Sequence, residues 1–99
     1  MKVNVRVNAN TKSLYVNLDK TMAIDVVCRR VLSMWAAGEL TTLQLNSVSA
    51  GEDTISVHLD HKLVTLVQSI PHLIVSKFIR FAIVYSVSLE DRLQLEQQY

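Results

Sequence analysis

The chain reads as one small α+β domain in which a hairpin, a helix, two strands, a short helical turn and a long last strand follow in order, with a helix at the C-terminus. Three features predict this. Apolar and polar residues alternate strictly over the first eight positions, apolar spacing switches to steps of three and four after Thr21, and a long apolar run follows Pro71. The 99 residues fill one core and leave no room for a second.

In the first strand Met1, Val3, Val5 and Val7 share one face, while Lys2, Asn4, Arg6 and Asn8 share the other. That is the pattern of a half-buried strand. Ala9 to Ser13 has turn-forming chemistry, and alternation resumes with Leu14, Val16 and Leu18 inward against Tyr15 and Asn17 outward, which predicts a hairpin. Asp19 or Thr21 can cap the helix that follows, whose stripe is Ile24, Val27, Cys28, Val31 and Trp35 and whose end is set by Gly38. Leu43 and Leu45 alternate in one further strand and Ile55, Val57 and Leu59 in another, with Ser49 to Asp53 as the turn between them. Asp60 opens a short helical segment through Leu63, Leu66 and Val67 that stops near Ile70 and Pro71. From Leu73 to Tyr85 both alternating registers are apolar, as in a central strand covered on both faces. Ser88 and Asp91 then resemble a capping box that starts a C-terminal helix. The domain is thus expected over residues 1–85, with an amphipathic helix or tail over 86–99.

Composition narrows the function. Ten Lys and Arg against nine Asp and Glu give a net charge of +1, so no global field favours nucleic acid or an anionic membrane, and nucleic acid is not expected as a partner. The single Cys28 cannot form an internal disulfide, and Met1 is followed by alternating residues rather than a leader's apolar core, so a reducing cytoplasmic setting is expected. His72, Lys77 and Arg80 interrupt the apolar stretch from Ile70 to Val87, which argues against a transmembrane segment.

The element order resembles the ββαββ order of the ubiquitin-like β-grasp. Within it, Ser56-Val57-His58-Leu59-Asp60-His61-Lys62-Leu63, followed by Ile70-Pro71 and Ile79-Arg80-Phe81-Ala82-Ile83-Val84-Tyr85, resembles the first lobe of FERM domains, and more loosely Ras-binding and Ras-association domains. The resemblance implies an adaptor or regulatory domain that recognises a small GTPase or a cytoskeletal or receptor tail. The aromatic-proline ending of the family's last strand is replaced here by Tyr85-Ser86-Val87.

No catalytic arrangement stands out, and neither an enzyme nor a cofactor is expected. Cys28 lies on the apolar stripe, where it acts as a small buried hydrophobe. His58, Asp60 and His61 are too few for a convincing metal site and read as solvated strand-end residues. Trp35 falls on the helix stripe and is expected at the core or its edge. The remaining candidates are Lys2, Arg6, Lys12, Tyr15, Lys20, Arg29 and Arg30, a basic surface around an edge strand that could accept a partner protein's strand. The expected function is therefore a non-catalytic protein-interaction module. The rival expectation is a self-associating protein, such as a homodimer, whose second copy covers the doubly apolar last strand.

Overall fold

A computed structural model describes the backbone of residues 1–21 and 23–97 and the side chains of residues 1–18 and 23–86. The elements are β1 (Lys2–Val7), α1 (Ala9–Thr21), α2 (Ile24–Ala36), α3 (Thr42–Leu45), β2 (Asp53–His58), α4 (His61–Ser69) and α5 (Val75–Gln97). The class is α+β. Among the described residues the only sheet is a two-stranded antiparallel ribbon of β1 and β2, in which Lys2 faces His58, Asn4 faces Ser56 and Arg6 faces Thr54.

Local chemistry explains the elements that were anticipated. Period-two alternation in β1 buries Val5 and Val7 and exposes Lys2, Asn4 and Arg6. In β2 it buries Ile55 and Val57 and exposes Thr54, Ser56 and His58. The α2 stripe buries Ile24, Val27, Cys28, Val31 and Leu32, with Trp35 half-buried at its edge and its indole N–H donating to Thr42 Oγ1 at 3.1 Å. Past the end of α2, Gly38 takes φ +81°, a left-handed conformation that suits a residue with no Cβ. Asp60 caps α4, accepting from the Lys62 amide at 3.0 Å.

Four expectations are corrected. Residues 9–21 form a helix rather than a hairpin: Thr11, Leu14, Tyr15 and Leu18 turn inward at helical spacing while Val16 is exposed, and Asn8 Oδ1 accepts from the Thr11 amide at 2.8 Å to start it. Leu43 and Leu45 lie in a single helical turn instead of a strand, because Thr41 and Gln44 complete a capping box around it. The run from Leu73 to Tyr85 is not a strand. It enters α5, where Phe78, Ile79, Ala82, Ile83 and Ser86 are buried one helical turn apart. Finally, α5 continues without a break across residues 85 and 86, so the expected domain boundary and the start at Ser88 both fall inside one helix. The ββαββ sheet of a β-grasp is thus absent from the described residues.

Six of these elements fall instead into a repeat of strand, helix, helix, with α3 between the two units. By register and burial, Lys2, Asn4, Arg6 and Asn8 of the first unit correspond to Thr54, Ser56, His58 and Asp60 of the second. Asn8 and Asp60 both cap the helix that follows. In the later helices Val27-Cys28-Arg29 corresponds to Phe78-Ile79-Arg80, and Val31 and Leu32 to Ala82 and Ile83, apolar members of both sets being buried. Asn4 faces its own counterpart, Ser56, so a pseudo-two-fold axis passes through that pair. The packing follows the same symmetry: α2 packs on α5, α5 under β1, and α2 under β2. A linker closes the repeat, and Gly51 in it lies so close to the backbone of Val7 and Asn8 that a Cβ would collide with both.

Candidate functional site

The outer face of the ribbon is the most distinctive surface. Antiparallel pairing places Lys2, Asn4 and Arg6 beside His58, Ser56 and Thr54, and all six are exposed. None is apolar and none is acidic. At the centre the Ser56 hydroxyl donates to Asn4 Oδ1 at 2.9 Å, which fixes the two side chains on the axis. One end of the face then carries Lys2 and His58, and the other carries Arg6 and Thr54. A rigid support lies behind it, since the opposite faces of both strands are buried against helices.

The ribbon edges are handled differently. The Met1 and Leu59 backbones exchange hydrogen bonds, so by antiparallel alternation Lys2, Asn4 and Arg6 direct their amides and carbonyls away from β2. Arg80 covers the Arg6 end: its Nη1 donates to the Arg6 carbonyl at 2.9 Å and its Nε to the Val48 carbonyl at 3.1 Å. Burial pulls the Arg80 pKa below its usual value, and the two carbonyls meet its charge in place of a carboxylate. On the other edge the Tyr15 hydroxyl donates to the Ser56 carbonyl at 3.1 Å. Tyr15 also lines a cleft of about 370 Å³ with Ala23, Ile24, Asp25, Ser56 and His58, which sets the N-terminus of α2 beside the Lys2 and His58 end of the ribbon.

The candidate residues divide accordingly. Lys2 and Arg6 lie on the ribbon face with Tyr15 at its margin. Lys12 is exposed on α1, and the side chain of Lys20 lies outside the described residues. Arg29 and Arg30 are exposed on α2. Arg29 reaches Asp60 at 3.0 Å, a side chain whose acidity is strengthened chiefly by the Lys62 amide and then by Arg29. Because residues 14–18 are helical, the edge strand expected there is not formed. Sequence reasoning passed over Asn4, Thr54 and Ser56. The signal was present in the outward phase of the two alternating segments, once the segments are recognised as partners.

A second surface lies between α2 and α4. Leu32, Ala36, Leu63 and Leu66 floor a groove of about 450 Å³ whose rim holds Arg29, Asp60 and Lys62. Leu66 is half-exposed there. Cys28, by contrast, is sealed in the core, and burial followed by the negative charge of Asp25 pushes its thiol from 9.0 up to about 12. No described helix is long and apolar enough to cross a membrane. Comparison with protein-family models, curated proteins and solved structures finds no match.

Proposed function

We propose that this chain is a non-catalytic binding domain that reads double-stranded DNA by laying the β1–β2 ribbon in the major groove. The supporting observation is the ribbon face itself: six exposed polar side chains from two paired strands, two of them cationic and none acidic, held on a buried helical layer. The major groove is wide enough for a two-stranded ribbon, and Arg, Lys, Asn, Ser and Thr are the side chains that pair with base edges there. The start of α2, whose N-cap Ala23 supplies no side-chain acceptor and whose first turn carries Asp25, lies beside the ribbon where a phosphate would run. The expectation against nucleic acid rested on net charge, which averages over the whole surface and misses one face that carries cations without carboxylates.

The test is anisotropy titration of labelled short duplexes with a randomised centre. Binding is expected to weaken steeply with added salt. Replacing Lys2 and Arg6 together by alanine should abolish sequence preference while leaving the fold intact by circular dichroism. Duplex binding that is identical in wild type and double variant would sink the reading.

The second reading is a non-catalytic protein-interaction module. It is favoured by the groove between α2 and α4 and by the outward backbone groups of Lys2 and Asn4, for which no hydrogen bond is present among the described residues. Self-association has lost its motive for residues 78–83, because this chain's own elements bury Phe78, Ile79, Ala82 and Ile83.

A further inference from the structure

We infer that the DNA site read by the ribbon is non-palindromic and is bound by a single chain, an inference that rests on the ribbon reading above. A ribbon built from two identical strands presents the same pair of side chains at both ends and therefore selects a two-fold symmetric site. Here the two strands are joined in one chain and have different outward residues. The pseudo-axis through Asn4 and Ser56 maps Lys2 onto Thr54 and Arg6 onto His58. One end thus presents a lysine opposite a histidine, and the other an arginine opposite a threonine.

These ends differ in chemistry as well as identity. A guanidinium offers a planar fork that engages O6 and N7 of one guanine together, whereas an ammonium is a point charge on a flexible stem. The Arg6 end therefore demands guanine, and the Lys2 end tolerates several acceptor-bearing bases. At the centre the Asn4 carbonyl oxygen already accepts from Ser56, which leaves the amide NH2 free to donate. The second lone pair of that oxygen stays available beside the NH2, so Asn4, held in place by Ser56, retains the donor and acceptor of the two-bond adenine contact.

The experiment is affinity selection from a pool of duplexes with a randomised centre, followed by sequencing, for wild type and three variants. Wild type should enrich a non-palindromic motif with an invariant guanine at one end only. Arg6→Ala should erase that guanine and weaken the selected duplex by about tenfold or more, the scale of one lost bidentate contact. Lys2→Ala should alter only the opposite end. The double variant Thr54→Lys, His58→Arg gives both halves of the face the same cations and should convert the ends of the motif into inverted repeats. All substituted positions are exposed, and circular dichroism checks that each variant is folded. A palindromic wild-type motif, or equal effects of Arg6→Ala and Lys2→Ala at both ends, overturns this inference alone. Failure of wild type to enrich any duplex overturns the ribbon reading on which it stands.

Discussion

The two strand-helix-helix units share a plan but not a role. Arg29 and Arg80 occupy corresponding places, yet Arg29 is exposed in an ion pair with Asp60, while Arg80 is buried and fastens the outer edge of β1 to the linker. The helices diverge in the same sense. In the second unit α5 takes Phe78 and Ile79 where α2 has Val27 and Cys28, and α1 packs against α5. The corresponding α4 and α2 enclose a groove instead. The second unit thus contributes the larger core residues and the internal fastener, and the first contributes both cations of the ribbon face. The internal fastening and the exposed cations of that face lie in different halves.

Substitutions at corresponding positions test that division. The largest loss is expected for Phe78→Ala, about 3–5 kcal/mol by urea denaturation, because a fully buried aromatic leaves a cavity. A loss below about 1 kcal/mol would show that α5 is not the central helix. Arg80→Ala should cost about 2–3 kcal/mol, since it removes two charge-assisted hydrogen bonds to part-buried carbonyls. Its counterpart Arg29→Ala should cost less than about 1 kcal/mol, as the paired side chains are 57% and 42% exposed. Equal effects at the two arginines would erase the contrast.

The caps come next. Asn8→Ala should destabilise by about 1 kcal/mol and Asp60→Ala should destabilise in the same direction, which would support the equivalence of the units. The Asp60 contribution carries a pH signature: its carboxyl is more acidic when folded, so its stabilisation is present above its unfolded pKa and is lost as pH falls through the folded value. Denaturation of wild type and Asp60→Asn across the acid range should converge at the lowest pH. The last effect is confined to alkaline pH. With its thiol raised from 9.0 to about 12, folded Cys28 holds a proton that the unfolded chain releases, so stability contributed by the neutral thiol is complete below pH 9 and declines as pH rises toward 12. Cys28→Ala should flatten that decline, and a thiol reagent at pH 8 should label wild type only after unfolding.

Much of this arrangement was written locally. Strand β1, helix α2 with its Gly38 stop, strand β2 and the Asp60-capped α4 each follow from periodicity and capping over a few residues. The failures share a physical cause. In 14–18, Leu14, Val16 and Leu18 satisfy a period of two, but Thr11, Leu14, Tyr15 and Leu18 satisfy a helical one, and only the buried threonine and the Asn8 cap decide between them. In Leu73 to Tyr85 nearly every position is apolar, so periodicity is silent, and the better guide is length: a run this long suits a buried helix. The site was half visible. Lys2 and Arg6 were read from the outward phase of β1, but their neighbours on β2 became neighbours only through pairing across more than fifty residues of chain. No local pattern encodes that juxtaposition.

The covalent join at Gly51 changes how the ribbon responds to abundance. A ribbon assembled from separate chains exists only above the concentration at which those chains meet, so its occupancy of a target rises with a threshold. Here both strands arrive tethered, at an effective concentration set by the linker and independent of how many copies are present. On the ribbon reading proposed above, one molecule supplies both strands, and occupancy grows in proportion to dose.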